Sequence, residues 1–205
     1  MPAAEICTLH ISLIGSDPEI WRQLDIPTDI TLDTLNEIVQ AAMGWTGDHL
    51  WEFARGRDRF APLADRDWVP ANTIDAETTD LLSVLGPRST TLRYLYDFGD
   101  CWEHRLRLTA RRPPPPDIVF PRLVGGERNA PPEDCGGIDS FYDKLAALAE
   151  PDCDPELREW MDEYDPATMD AARIGNRLAA IAREMERARA RRAAPPAPRR
   201  RSTKA

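Results

Sequence analysis

An alternating aromatic segment, YLYDFGDCWEH at residues 94–104, most constrains the fold of this chain. Its apolar residues stand at every second position on both sides of Gly99, which is typical of two antiparallel strands with a tight connection. A two-residue turn would pair apolar with charged side chains, whereas a three-residue loop, Gly99–Cys101, gathers the large apolar residues on one face. The pattern therefore predicts four pairs: Phe98 with Trp102, Tyr96 with His104, Tyr94 with Leu106, and Leu92 with Leu108.

This register gives the two faces of the hairpin different roles. His104 falls on the apolar face, where a histidine that is hydrogen-bonded within the core is favoured over a catalytic one. On the other face Asp97 lies opposite Glu103, and two carboxylates in that position repel each other unless a cation lies between them. Two interpretations stay open for this pair: salt bridges with Arg105 and Arg107, or a site for a cation or ligand.

A second segment, VGGERNAPPEDCGG at residues 124–137, holds four glycines and two prolines within fourteen residues. Such a density predicts an irregular loop, and loops of this kind often line functional sites. A helix is predicted to begin after Gly137. We expect Glu133 and Asp134 to cap its positive end, with a ligand bound by its free N–H groups as the alternative.

The N-terminal half predicts the start of a sheet. Alternation indicates antiparallel strands at Cys7–Leu13 and Ile20–Ile26, and a third strand is predicted at Leu50–Ala54. Between them a helix is capped by Thr31 and ended by Gly44. This ββαβ order is similar to the beginning of a β-grasp fold. Residues 55–89 carry weak signals and are predicted as a loop with one strand and one helical turn.

Helical spacing of apolar residues dominates after Gly137. Asp154–Pro155 and Asp165–Pro166 each supply an N-cap followed by proline at the first helical position, so three helices are expected, the last from Pro166 toward Arg189. The predicted class is α+β: an N-terminal ββαβ, β-grasp-like sheet, extended by the aromatic hairpin and followed by C-terminal helices. One domain is predicted over residues 1–186.

The net charge of −9 conceals an acidic body and a basic tail. Residues 183–205 hold nine Lys or Arg against two Glu, which leaves 17 basic and 33 acidic residues in positions 1–182. Residues 187–205 are predicted to be a disordered tail rich in Arg, Pro and Ala. An acidic body repels nucleic acid, so non-specific DNA contact would fall to the arginines of the tail. These are Arg187, Arg189, Arg191, Arg192, Arg199, Arg200 and Arg201.

The composition predicts a cytoplasmic protein without a membrane partner. No apolar run approaches the roughly 20 residues that a membrane span needs, and the first residues, MPAAEICTLHIS, lack the features of a signal peptide. The four cysteines form no CxxC pair, so reduced thiols are favoured over disulfides. The motifs GxxxxGK[ST], GxGxxG and HExxH are missing from the sequence, and we predict no cofactor.

The motifs YLYDFGDCWEH and APPEDCGG together resemble the plasmid pRiA4b ORF-3-like family, whose bacterial members often sit on plasmids and insertion elements. The resemblance implies association with a mobile element and implies no particular activity. Relatives carry Cys and His at positions that correspond here to Leu123, Asn129, Cys153 and Leu157. A Cys/His metal site is therefore mostly dismantled, because zinc takes four ligands or three with water, and no metal site is predicted.

Three functions compete on this basis. The leading hypothesis is a non-enzymatic binding or adaptor module that recognises a protein or a small ligand. The alternatives are a DNA-associated accessory protein that acts through the basic tail, and an enzyme that uses carboxylates with or without a divalent metal. The candidate recognition surface comprises Tyr96, Asp97, Asp100, Trp102, Glu103, His104, Glu133 and Asp134.

Overall fold

The computed structural model describes residues 5–65, 67, 70–86 and 90–193. Thirteen helices and strands follow one another in these residues, with a short 3-10 helix at Leu63–Asp65. They are β1 (Ile6–Leu13), β2 (Trp21–Pro27), α1 (Leu32–Met43), β3 (Trp51–Arg55), β4 (Asp58–Ala61), β5 (Ile74–Asp75), α2 (Leu81–Val84), β6 (Thr91–Tyr96), β7 (Trp102–Arg112), β8 (Arg122–Glu127), α3 (Gly137–Leu148), α4 (Pro155–Trp160) and α5 (Ala171–Ala193).

All eight strands join one sheet in the order β5-β4-β3-β6-β7-β1-β2-β8. Neighbours pair antiparallel except β4 and β5, which are parallel. The mixed α+β class with C-terminal helices is thus as predicted. The exact β-grasp-like arrangement of the N-terminal ββαβ is not confirmed by this sheet order. Here β6 and β7 lie between β3 and β1.

The first helix forms where its local signals place it. The Thr31 hydroxyl accepts a hydrogen bond from the Thr34 amide (3.3 Å), and Gly44 ends the helix with a left-handed φ of 89°. Its apolar residues, including Leu35 and Val39, are completely buried in the core. In the weakly predicted stretch 55–89 the structure has two strands, β4 and β5, as well as α2. Part of this stretch, including Trp68, lies outside the described residues.

The aromatic hairpin is formed, but two residues away from the predicted register. Tyr96 lies opposite Trp102 and Tyr94 opposite His104, so the connecting loop runs over Asp97–Cys101 and is longer than the three residues expected. The predicted pairing of Asp97 with Glu103 is therefore wrong. The two faces are as predicted, because a shift of two residues returns every side chain to the same side of a strand.

The C-terminal helices differ from prediction at the start and end of α5. Asp154 caps α4 as expected, accepting from the Glu156 amide at 2.9 Å. Asp165 instead makes a local turn by accepting from the Ala167 amide, and Asp170 caps α5 through the Arg173 amide at 2.8 Å. Since α5 continues to Ala193, the predicted disorder from residue 187 is wrong for residues 187–193.

One buried carboxylate ties four strands together. Asp25 of β2 accepts hydrogen bonds from Thr8 of β1 (2.7 Å), Arg112 of β7 (2.7 Å) and Arg122 of β8 (2.8 Å). Burial acts to raise the pKa of Asp25, but the hydrogen bonds from Thr8, Arg122 and Arg112 outweigh it and hold this pKa below its usual range.

Membrane-spanning helices and disulfides are the two features of the described residues that relate to the predicted compartment. None of the helices traced between residues 5 and 193 is both long enough and apolar enough to cross a membrane. The four cysteines, at positions 7, 101, 135 and 153, are free thiols, and two of them are buried.

Candidate functional site

The loop of the aromatic hairpin has an unusual backbone. Asp97 and Cys101 adopt left-handed φ values of 57° and 56°, which non-glycine residues rarely do and which often mark functional sites. The Asp97 side chain stabilises the turn by accepting from the Gly99 amide at 2.8 Å, and the Cys101 amide donates to the Asp97 carbonyl at 2.7 Å. These bonds close the loop early and account for the register that it sets.

The loop at residues 130–137, called here the acidic loop, packs directly against the hairpin loop at residues 97–101. The Gly136 amide donates to the Asp100 carboxylate at 3.0 Å. At Gly137, whose φ is +84°, an added Cβ would lie 2.5 Å from the Asp100 carbonyl oxygen. The two loops predicted to form one surface therefore touch, and we call their meeting point the loop junction.

Glu133 is the most firmly held carboxylate of the loop junction. It accepts from the Tyr96 hydroxyl at 2.5 Å and from the amide and hydroxyl of Thr46 at 2.9 and 3.0 Å. Burial raises the pKa of Tyr96, and the adjacent Glu133 raises it further, so the phenol stays protonated as a donor. Glu133 is thus held between the turn that follows α1 and the hairpin.

A second group of side chains meets beside Glu133. The imidazole of His49 lies between two carboxylates, with its Nδ1 atom 3.8 Å from Asp97 Oδ2 and its Nε2 atom 3.3 Å from Asp134 Oδ1. Asp134, like Asp97, has a left-handed φ, here 59°. One ligand atom from each of the three residues lies within 4.8 Å of the others, a spacing that could hold a metal ion.

Trp45 lies in the core next to the loop junction and contacts several of the elements that form it. Its ring stacks on Tyr96 at a centroid distance of 5.1 Å and meets the edge of His104 at 5.2 Å. The indole N–H donates to the Pro131 carbonyl at 2.8 Å, and the Trp45 carbonyl accepts from Arg177 of α5. This residue therefore joins α1, the hairpin, the acidic loop and the last helix.

His104 lies inside the core, in agreement with the prediction from the strand faces. It is fully buried, and desolvation lowers its pKa to about 3. Its Nδ1 atom is 3.0 Å from the Trp102 carbonyl. Within the described chain neither His104 Nε2 nor Trp102 Nε1 has a hydrogen-bond partner. A neutral, sealed imidazole cannot exchange protons with a ligand at the surface.

A cavity of about 420 Å³ opens beside Glu133, between the end of α1, the acidic loop and residues 163–174. Its lining includes the aromatic residues Trp45 and Tyr164. Four carboxylates line it against one arginine, Arg173, and they belong to Glu133, Glu163, Asp165 and Asp170. The cavity is therefore both aromatic and electronegative.

Most of the residues singled out from the sequence converge here, with one exception. Tyr96, Asp97, Asp100, Glu133 and Asp134 lie at the loop junction, and Trp102 and His104 are buried beneath it. Glu103 lies on the opposite face of the sheet, where it pairs with Arg93 at 2.6 Å instead of Arg105 or Arg107. Sequence reasoning missed Trp45, Thr46 and His49, for which the only signal is a tryptophan and a histidine in a glycine-bounded turn.

The expected capping of α3 by Glu133 and Asp134 is wrong. The N-cap residue is Gly136, which has no side chain to cap with, and Glu133 and Asp134 point to Thr46 and His49. The carboxylate near this helix end comes from Asp100 of the hairpin loop. It acts there as an anion at a helix N-terminus, in the place that we left open for a ligand.

The tail arginines differ in their surroundings. Arg187 pairs with Glu184 and Arg189 pairs with Asp29, each at 2.5 Å, while Arg191 is exposed at the end of α5. Arg192 belongs to the helix, and Arg199, Arg200 and Arg201 lie outside the described residues. Two of the predicted phosphate-binding groups are thus occupied within the chain, and DNA contact stays a prediction.

Replacing Gly137 with alanine is expected to loosen the loop junction. The added Cβ would meet the Asp100 backbone at 2.5 Å, so one of the two loops has to move. We expect the free energy of unfolding to fall by about 3 kcal/mol, which combines the left-handed penalty with the clash. Urea titration measures this. Gly44→Ala is the matched control, because it has a similar φ of +89° and no atom within 4 Å. Equal losses in the two variants would mean that the contact with Asp100 has no effect.

Comparisons with known proteins find matches that cover most of this chain. The family model described as plasmid pRiA4b ORF-3-like protein matches residues 5–173. The uncharacterized protein y4hQ of Sinorhizobium fredii (strain NBRC 101917 / NGR234) is 36% identical over 189 residues, which is 90% of this chain and 96% of that protein. A crystal structure of a protein of unknown function from Methanosarcina mazei Go1 has a TM-score of 0.76 at 26% identity, covering 83% of this chain and 97% of the other.

Proposed function

The chain belongs to the plasmid pRiA4b ORF-3-like protein family, and we propose that it is a non-enzymatic binding module. Its ligand is a small organic cation, such as an amine or guanidine, that enters the cavity beside the loop junction. The observation that carries the proposal is the cavity of about 420 Å³ that Glu133 helps to line. Ligand sites of small molecules commonly measure about 300–1,000 Å³.

The charge and the aromatic walls both favour a cation. Four carboxylates against one arginine attract positive charge, and the carboxylate of Glu133 is already held in place by three donors. The partly exposed Tyr164 and the almost fully buried Trp45 also line this space, and aromatic side chains attract ammonium and guanidinium groups. A ligand of this class gains from the electrostatic field and from the rings together.

The chemical state of the nearby groups supports binding over catalysis. His104 is neutral and sealed in the core, since burial lowers its pKa to about 3. Cys135 of the acidic loop is buried as well, and burial raises its pKa to about 11, so it is a thiol and a poor nucleophile at neutral pH. Neither group can therefore serve as a general base or a nucleophile beside the cavity.

The proposal is tested by calorimetric titration and thermal shift with agmatine and spermidine as probes, and with citrate as the anionic control. We expect the two cations to bind and raise the melting temperature, and citrate to have no effect. Glu163→Gln is expected to weaken binding about two- to fivefold, the effect of about 0.5–1 kcal/mol from one exposed charge.

Glu103→Gln is the matched control for this charge removal, because Glu103 lies on the other face of the sheet with Arg93. It should leave the affinity unchanged. The proposal is wrong if neither cation binds, or if Glu103→Gln and Glu163→Gln weaken binding equally.

A further inference from the structure

We propose that His49, Asp97 and Asp134 form a binding site for one divalent transition-metal ion, with Zn²⁺ as the best match. The site goes beyond the proposed function, because it uses other side chains and an inorganic ligand. It touches the cavity only through the neighbouring positions of Glu133 and Asp134 in the acidic loop.

The spacing of the three side chains suits a metal ion. In a tetrahedral zinc site with bonds of about 2.0–2.2 Å, neighbouring ligand atoms lie about 3.3–3.6 Å apart. Here the His49 Nε2 atom is 3.3 Å from Asp134 Oδ1, and one ligand atom from each residue lies within 4.8 Å of the others. His49 gives one ring nitrogen to an ion, so binding requires side-chain rotations that bring Asp97 and Asp134 to the same nitrogen.

His49, Asp97 and Asp134 are not joined to one another by short hydrogen bonds. The 3.3 Å separation of His49 and Asp134 exceeds the roughly 2.7–2.9 Å of a charge-assisted hydrogen bond. Asp97 is only 8% exposed, and its Oδ1 atom accepts from the Gly99 amide. Its Oδ2 atom faces His49 Nδ1 at 3.8 Å. A cation between this oxygen and His49 would give a largely buried carboxylate a charged partner.

The donor types select the class of metal. An imidazole favours zinc and its neighbours among the transition metals over Mg²⁺ and Ca²⁺, which prefer oxygen ligands alone. Two carboxylates balance the charge of a divalent ion. His49 and Asp134 are partly open, with side-chain exposures of 32% and 75%. The ion would therefore keep a position for water or for an atom of a second ligand, as three-ligand zinc sites do.

The test uses the full chain, stripped of metal with EDTA and titrated with ZnCl₂ in a calorimeter. We expect one Zn²⁺ per chain and a higher melting temperature with Zn²⁺ than with Mg²⁺. His49→Gln and Asp134→Asn should each weaken the affinity at least about tenfold. Asp134 is exposed, so this variant is expected to fold, which circular dichroism verifies. Co²⁺ in place of Zn²⁺ should show nitrogen and oxygen ligation without the strong near-ultraviolet bands of thiolates.

Two controls keep the outcome specific. His10→Gln removes another histidine, which stacks on Trp21 in the sheet, and Glu103→Gln removes another carboxylate. Both should bind Zn²⁺ like the parent chain. Failure to bind Zn²⁺, thiolate bands with Co²⁺, or full affinity in His49→Gln would each overturn the site. Agmatine binding, measured in the same samples, separates this failure from failure of the proposed function.

Discussion

Replacing Trp45 with alanine is expected to lower the free energy of unfolding by about 3–5 kcal/mol. The residue is 2% exposed and packs against Tyr96, Trp102 and His104. Its loss leaves a cavity among these rings and removes the donor of the Pro131 carbonyl. Folded domains are stable by only about 5–15 kcal/mol, so the variant should approach the limit of folding. Urea titration with tryptophan fluorescence and circular dichroism measures the change.

Trp45→Phe separates the packing of the ring from the hydrogen bond. Phenylalanine keeps much of the stacking on Tyr96 but cannot donate to Pro131, so we expect a loss of about 1–3 kcal/mol for the unsatisfied carbonyl. Because Trp45 also lines the cavity, agmatine binding should weaken in both variants. If Trp45→Ala unfolds at the same urea concentration as the parent, Trp45 does not join the four elements as described.

Replacing Asp25 with asparagine is expected to cost about 3 kcal/mol at pH 7, the lower end of the range for breaking a buried ion pair. The lower end applies because Arg112 and Arg122 are 38% and 40% exposed at the side chain and are partly screened by water. The amide of asparagine would place N–H donors against two guanidinium groups. Asp29→Asn, which breaks the exposed pair with Arg189, is the control and should cost less than about 1 kcal/mol.

The pH dependence of the stability difference between the parent chain and Asp25→Asn shows whether this difference is electrostatic. The folded state holds the pKa of Asp25 below its usual range, so its stabilisation is complete above the unfolded pKa of about 3.9. It is lost as the pH falls through the lower, folded value. Urea titrations of the parent chain and Asp25→Asn from pH 7 to pH 2 measure their free energies of unfolding. The difference between the two should be constant above about pH 5 and should narrow in acid. A gap that stays constant down to pH 2 would contradict an electrostatic origin.

Local signals in the sequence are sufficient for the first strands and the first helix. The side-chain hydrogen bond of Thr31 and the left-handed φ of Gly44 act within a few residues, so the bounds of α1 can be read directly from the sequence. Asp165–Pro166 shows the limit of such reading. An aspartate accepts from an amide two residues ahead in a turn as readily as in a cap, and Asp165 does the former.

The register of the hairpin could not be decided from its alternating pattern. Registers that differ by two residues place the same side chains on the same face, so the burial of His104 is predicted correctly while its partner is not. What selects the observed register is the left-handed backbone of Asp97 and its bond to Gly99. An aspartate adopts this conformation only rarely. The alternation of apolar residues does not predict that Asp97 adopts it.

Only part of the site can be predicted from the sequence, because two of its residues belong to no recognisable motif. The hairpin and the acidic loop stand out through unusual composition, whereas His49 and Trp45 lie in a short turn with no distinctive motif. They reach the loop junction because β3 pairs with β6, a contact between segments distant in the chain. Spacing within a sequence cannot reveal such a contact. A search restricted to the two motifs therefore misses Trp45 and His49, which belong to neither motif.

The strand order also governs the sequence of events during synthesis on the ribosome. β1 is made first but lies inside the sheet, so its second edge stays open until β7 has emerged. Pairings of this kind form late and leave hydrophobic edges exposed to chaperones or to aggregation. The wall of the cavity at Asp170, Arg173 and Ile174 is translated later still. A nascent chain that stops before α5 therefore carries both motifs and the complete sheet but lacks Arg173 and Ile174 of the cavity wall.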